Sequence, residues 1–197
     1  MENTYIEKEL PAYERRYRRI STWFNNHKPA FNILKFIYRY MAYAIAAAYI
    51  LLVFLCIKGS FHFIETVPFI LRDSGIVVET SNTLLTAKII LTPLTSFILV
   101  SVIRKCIDAP RPYEKYDIKP LLIKETAGES MPSRHVFSIT VISMCWLYVS
   151  VPVGIVMLVL VTVMAASRVL AGVHFIRDVI AGFIVGILSG ILGLWIF

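Results

Sequence analysis

The residues best equipped for chemistry lie in Ser167–Asp178, where Arg168, His174, Arg177 and Asp178 separate two long apolar runs. His174 and Asp178 stand four apart, so with Asp178 in the first turn of a helix its carboxylate reaches back to the imidazole. A carboxylate on one ring nitrogen fixes the tautomer and leaves the other nitrogen to act as nucleophile or base. Arg168 adds a planar fork of donors suited to phosphate or carboxylate. Ionisable groups this dense at a membrane edge are costly, and they mark a site more often than a polar loop with a snorkelling arginine.

Two further clusters supply complementary groups. Arg104-Lys-Cys-Ile-Asp-Ala-Pro-Arg111-Pro112-Tyr113 closes one apolar run, and Met131-Pro132-Ser133-Arg134-His135 opens another. The combined inventory is a set of guanidinium and ammonium groups, a hydroxyl, two histidines and a helix start, whose unpaired N–H groups attract anions. No pair of carboxylates is free to hold a divalent metal, so neither a metal nor another cofactor is expected. The set suits an oxyanion with several equatorial oxygens, phosphate above all. With two histidines present, phosphoryl transfer through a phosphohistidine is the natural chemistry.

The elements that must position these groups are membrane helices. The chain has 197 residues, is 57% hydrophobic and has a mean hydropathy of +0.70, which predicts an all-α, polytopic membrane bundle. Five spans are expected at 40–57, 84–103, 136–150, 153–167 and 179–197. The third and fourth share the uncharged run Val136–Ser167, too long for one crossing and divided by Val151-Pro152-Val153-Gly154. Tracing that hairpin brings all three polar clusters to one face. Lys58–Glu79 is ambiguous, because Phe61–Leu71 is mostly apolar while Glu65, Pro68, Arg72 and Asp73 interrupt it. Gly182, Gly186 and Gly190 recur every four residues and offer a smooth face for close helix packing. Cys56, Cys106 and Cys145 have no metal spacing and read as small packing residues.

The net charge of +7 is concentrated near the start. Residues 15–39 hold Arg15, Arg16, Arg18, Arg19, Lys28, Lys35 and Arg39 with no acid, which predicts a basic N-terminal segment, 1–39, preceding a membrane domain, 40–197. Such a cluster beside a first span stays cytoplasmic and touches anionic headgroups. Tyr13, Tyr17, Ile20 and Phe24 recur at helical spacing with Trp23 alongside, predicting an interfacial helix over Tyr13–Phe24. A nucleic-acid partner fits poorly next to a membrane span, and the polar start shows no cleavable signal peptide.

The three clusters resemble the signature of the type-2 phosphatidic acid phosphatase superfamily, which also includes vanadium haloperoxidases and glucose-6-phosphatase. Its pattern is Lys-x6-Arg-Pro, then Pro-Ser-Gly-His, then Ser-Arg-x5-His-x3-Asp, and the resemblance covers roughly residues 84–197. Arg104 stands where the family has Lys, and Arg134 where it has Gly. The resemblance implies that His174 attacks phosphorus, Asp178 orients it, and His135 protonates the leaving oxygen. It further implies that Arg104, Arg111, Ser133 and Arg168 hold the phosphoryl oxygens, with Arg134 beside them. Lys105, Tyr113, Lys124 and Arg177 are left to a headgroup or to solvent. It implies a membrane lipid-phosphate phosphatase acting without metal, with undecaprenyl diphosphate the leading substrate and phosphatidate or phosphatidylglycerophosphate the alternative. It also favours six spans, cytoplasmic termini and an outward-facing site in a bacterial plasma membrane. A transporter or an anionic-lipid scaffold is the non-enzymatic alternative. It would not require His135, His174 and Asp178 at these spacings.

Overall fold

A backbone inside hydrocarbon satisfies its N–H and C=O groups within its own helix, so long apolar runs become helices. The computed structural model describes residues 10–60, 64–65, 78–79, 82–122 and 126–196. It is all-helical apart from one antiparallel pair of two-residue strands, β1 (Ile64–Glu65) and β2 (Val78–Glu79). The helices are α1 (Ala12–Asn26), α2 (Lys28–Ile57), α3 (Asn82–Ile107), the short α4 (Pro112–Lys115), α5 (Arg134–Val149), α6 (Val151–Leu170) and α7 (Ile176–Gly190). A π-helical turn, Ile191–Ile196, extends α7.

Four of these segments are long and apolar enough to cross a membrane: α2, α3, α6 and α7 with its extension. α5 is shorter, bounded by the extended residues Ser133 and Ser150, and it lies at the centre of the bundle. Ten of its sixteen residues are buried, against four of thirty in α2, whose outer residues such as Tyr43, Ile50 and Phe54 are exposed. The expected spans fall on α2, α3, α5, α6 and α7, with boundaries shifted by no more than four residues except at the start of α2, which begins twelve residues before the expected 40. α2 also runs without a break through residues 39 and 40. The hairpin turns at Ser150, with Pro152 in the first turn of α6, where its missing N–H costs nothing. A Cβ on Gly154 would stand 2.3 Å from the Leu147 Cα, so a side chain there would force the two arms of the hairpin apart.

The core runs along α5. Ile45 and Leu52 from α2, Leu85 and Ile89 from α3, Val161 and Met164 from α6, and Leu194 pack around Val136, Ile139, Met144 and Cys145. Cys56 belongs to the same core, whereas Cys106 is exposed instead of packed. The Gly182–Gly186–Gly190 face meets α5 directly. Added Cβ atoms would stand 2.7 Å from the Ser133 carbonyl, 2.6 Å from Thr140 Cβ and 2.5 Å from Met144 Cβ.

The ambiguous segment Lys58–Glu79 makes no net crossing. Most of it lies outside the described residues, but its ends are described and lie together. A Cβ on Gly59 would stand 2.5 Å from the Asn82 side-chain nitrogen, and Ile64 and Glu65 pair with Glu79 and Val78. Hence α2 leaves one face and α3 returns to it. The six-span arrangement, with the N-terminus and the site on opposite faces, gives way to five crossings with both on the same face. Direct contacts agree with this, because α1 packs on the loops that carry the polar clusters.

Candidate active site

Each polar cluster occupies a helix end, and the bundle brings those ends together. Arg104 closes α3, Ser133 is the N-cap residue of α5 with Arg134 and His135 in its first turn, Arg168 lies in the last turn of α6, and Asp178 in the first turn of α7. Two backbone bonds knit the clusters. The Ser133 N–H donates to the Asp178 carbonyl at 2.8 Å, and the Ser130 N–H donates to the Ala109 carbonyl at 2.8 Å.

His174 is almost fully buried and Asp178 is completely so. His174 Nδ1 lies 3.7 Å from Asp178 Oδ2, so the four-residue spacing does place the carboxylate on that nitrogen. The same oxygen accepts the Phe175 N–H at 2.9 Å. A group the motifs did not reveal completes the cluster. Ser130, wholly buried, donates its hydroxyl to Asp178 Oδ2 and lies 3.3 Å from His174 Nδ1. Both neighbours engage Nδ1, which fixes the orientation of the ring through that nitrogen. Arg177, more than half exposed, places its Nε 3.6 Å from the other Asp178 oxygen.

A cavity of about 260 Å³ is lined by Arg104, Arg111, Arg134, His135 and His174, together with Glu129 and the small residues Thr126 and Ala127. Its arginines are anchored by backbone carbonyls. Arg104 donates to the carbonyls of Pro132 and Glu129, and Arg111 donates to those of Gly128 at 3.0 Å and Val173 at 3.3 Å. Glu129 faces two of them, 3.6 Å from Arg134 Nη2 and 4.0 Å from Arg104 Nε. Arg134 also lies over the Phe97 ring at 5.6 Å. Ser133 is buried, and its hydroxyl has no hydrogen-bond partner among the described residues. An unpaired buried hydroxyl is costly, and a ligand oxygen beside it would relieve that cost.

Arg168 sits elsewhere. It is buried against Tyr38 of α2, with its guanidinium carbon 4.0 Å from the ring centroid and its Nη2 donating to the Tyr38 carbonyl at 3.3 Å. It lines a neighbouring cavity that shares His135 with the first. Of the remaining candidates, Lys105 is exposed, and the Tyr113 hydroxyl donates to the Thr126 carbonyl at 2.5 Å. Lys124 lies outside the described residues.

The N-terminal helix braces the site. Tyr13 stacks on Tyr116 at 4.8 Å and packs on Phe175 at 5.2 Å, next in sequence to His174. The Tyr17 hydroxyl donates to the Leu170 carbonyl at 3.5 Å and accepts the Leu121 N–H at 2.9 Å, and buried Glu14 accepts the Asp117 N–H at 3.2 Å. Burial pushes both phenols above their usual range, so they stay neutral. The Tyr13–Phe24 stripe is therefore divided: Tyr13 and Tyr17 turn toward protein, and Ile20 and Trp23 remain exposed.

Arginines and two histidines gathered at one face of an all-helical bundle form a site suited to a phosphate group. The chain belongs to the PAP2 superfamily, whose sequence profile matches residues 37–197. Among solved structures it is similar to LpxE of Aquifex aeolicus, at 22% identity and a TM-score of 0.59 over 82% of this chain and 86% of that one. It also aligns with a transmembrane PAP2-type phosphatidylglycerolphosphate phosphatase from Bacillus subtilis, at 22% identity and a TM-score of 0.48 over 90% of each chain. No curated protein matches the sequence.

Proposed function

We propose that this protein hydrolyses a lipid phosphate or diphosphate through a phosphohistidine on His174, without a metal. The observation that carries this reading is the buried Asp178–Ser130–His174 cluster at the wall of an arginine-lined cavity. Asp178 on Nδ1 stabilises the charge that develops as Nε2 bonds to phosphorus. As that bond forms, the P–O bond to the leaving group breaks, and His135 gives its proton to the departing oxygen. His135 is then neutral and takes a proton from the water that displaces His174, releasing phosphate and restoring both rings. Arg104, Arg111 and Arg134 offset charge on the equatorial oxygens, and the Ser133 hydroxyl donates to one of them. This donor set holds one carboxylate, Glu129, among cations, which suits an anion and not a divalent ion. Undecaprenyl diphosphate remains the leading substrate, and phosphatidylglycerophosphate or phosphatidate the second reading.

The test is phosphate release by purified protein from a panel of lipid phosphates in detergent containing EDTA. Turnover of at least one member, undiminished by EDTA, is the expected result. Abolition of all turnover by EDTA would remove the metal-free mechanism. A well-folded protein inert on every member would remove the activity.

We further propose that the site faces the cytoplasm. An outward site required a sixth span between it and the basic N-terminus. With five crossings, Arg15, Arg16, Arg18, Arg19, Lys28, Lys35 and Arg39 share the catalytic face with Lys105, Lys115 and Lys119. Among the described residues the opposite end holds Lys58 and Lys88. Lysine and arginine near span ends favour the cytoplasm. In a Cys-free background, Leu10→Cys and Pro120→Cys should both escape an impermeant thiol reagent in intact cells and both react after lysis. Labelling of both in intact cells would reverse the orientation, and labelling of only one would overturn the five-crossing topology.

A further inference from the structure

α1 lies outside residues 37–197, which the family profile matches, yet it packs on two segments that frame the site. Tyr13, Glu14 and Tyr17 leave one face of the helix. On one side they hold the segment that follows the Arg111 cluster. Glu14 accepts the Asp117 N–H, Tyr13 stacks on Tyr116, and the Tyr17 hydroxyl accepts the Leu121 N–H. On the other side they hold the link between α6 and α7. Tyr13 packs on Phe175, the N-cap residue of α7, and the Tyr17 hydroxyl donates to the Leu170 carbonyl. The helix thereby ties residues 116–121 to the turn 170–175, which carries His174.

Tyr17 makes the closest approach to that turn. Its side chain is almost fully buried, and it stands directly against Gly172. A Cβ on Gly172 would lie 2.3 Å from the phenolic oxygen and 2.5 Å from Cζ. Gly172 has a φ of +79°, a left-handed conformation that glycine adopts without steric cost. The most pliable backbone position of the turn is therefore two residues from His174, and the Tyr17 ring is packed on it. Bonds inside the turn tie it to the end of α6, from the Ala171, Gly172 and Val173 N–H groups to the carbonyls of Ser167, Val169 and Arg168. Asp178 and Ser130 hold the imidazole at Nδ1, but neither contacts Gly172. A rotation about Gly172 would carry His174 away from Arg104, which is anchored on the separate loop of Glu129 and Pro132.

We propose that α1 is a positioning element of the reaction, with Tyr17 fixing the turn that carries His174 and Tyr13 supporting it. The inference rests on the phosphatase reading and extends it to a helix that precedes the family domain. Neither tyrosine lines the arginine-rich cavity, so both act through the turn and not on the substrate. Attack on phosphorus needs the imidazole nitrogen close to it and in line with the bond that breaks. Holding the phosphate depends instead on the arginines, whose anchors lie outside α1. Loosening α1 therefore slows formation of the bond between His174 and phosphorus and leaves phosphate binding nearly intact. A helix that only stabilised the fold would not separate these two quantities.

The experiment uses full-length protein in neutral detergent, at a temperature where circular dichroism shows each variant folded. The substrate is the member of the lipid-phosphate panel that wild type turns over fastest, and the binding probe is inorganic phosphate as an inhibitor. In Tyr17→Ala, kcat and the single-turnover rate of phosphoenzyme formation should fall about tenfold or more, while KM and the inhibition constant for phosphate stay within about threefold. Tyr17→Phe keeps the ring on Gly172 and removes both hydroxyl bonds, so it should lose only about threefold in kcat. Tyr13→Ala should lose about fivefold in kcat, again without a change in phosphate inhibition. Trp23→Ala, exposed on the same helix and stacked on His27, should match wild type. Wild-type kcat per folded molecule in Tyr17→Ala would overturn the proposal. So would losses in phosphate affinity as large as those in kcat, or a Trp23→Ala loss equal to that of Tyr17→Ala. If Tyr17→Ala does not fold, Tyr17→Phe and Tyr13→Ala decide, and wild-type kcat in both would overturn it. Wild-type protein inert on every lipid phosphate would instead remove the phosphatase reading, an outcome distinct from all of these.

Discussion

His174→Ala should lower the rate of phosphate release by about 10⁴-fold or more, because it removes the cavity-lining imidazole whose Nδ1 faces the buried Asp178 carboxylate. The measurement is release of phosphate by purified variant at saturating substrate, with an acid-labile phosphoenzyme trapped by quenching wild type and absent from the variant. Near-wild-type turnover in His174→Ala would remove the phosphohistidine. His135→Ala should behave differently. It loses an acid and a base, worth about 10²- to 10⁴-fold, but a nitrophenyl ester needs no protonation of its leaving oxygen. Turnover of that ester should fall far less than turnover of an alkyl phosphate. An identical loss on both would deny His135 the role of acid. Ser130→Ala lies between the two. Its hydroxyl touches both Asp178 and His174 and it does not line the arginine-rich cavity, so it is a positioning residue. Its loss should lower kcat by about tenfold, as a misaligned nucleophile does, while KM stays close to wild type.

The three clusters were legible because ionisable residues stand out against apolar runs. The spacing of His174 and Asp178 already specified which side chain would hold the imidazole. The glycine face of α7 was legible for a similar reason, since small residues every four positions leave one helical surface bare. Other features depend on partners distant in sequence. Ser130 acts on groups 44 and 48 residues away, across two helices, and no local pattern distinguishes it from any other serine of a polar loop. Arg168 carries the motif, yet the direction of its side chain is decided by Tyr38, 130 residues earlier. Tyr13 and Tyr17 share one helical stripe with Ile20 and Trp23. Composition could not show that the first pair would turn to Tyr116, Phe175 and Leu170 while the second remained exposed. Lys58–Glu79 mixes apolar length with charge, so hydropathy alone could not separate a crossing from a loop. The close approach of Gly59 to Asn82, which brings the two ends of the segment together, does separate them.

Equivalent substitutions along α7 should have unequal effects, because only one end of that helix touches the site. Gly182→Ala places a methyl 2.7 Å from the Ser133 carbonyl and 3.3 Å from the backbone nitrogens of Ser133 and Phe137. All three neighbours are backbone and cannot rotate away, so α5 must move. Ser133, whose N–H is bonded to the Asp178 carbonyl, and His135 two residues on must move with it. Displacements approaching 1 Å at catalytic groups cost about 10²-fold in rate. Gly190→Ala instead meets the Met144 side chain, at 2.5 Å from its Cβ and 2.6 Å from its Cγ, near the far end of the bundle. Overpacking of this kind costs about 1–3 kcal/mol of stability, and the flexible methionine can absorb part of it. Both variants should therefore unfold at lower temperature in detergent. Per folded molecule, Gly182→Ala should lose about 10²-fold in kcat, while Gly190→Ala should stay within about twofold of wild type. Thermal denaturation followed by circular dichroism, set beside kcat at a temperature where both remain folded, separates the two effects. Equal kcat for the two variants would mean that the α5–α7 contact at Ser133 does not control the geometry of the site.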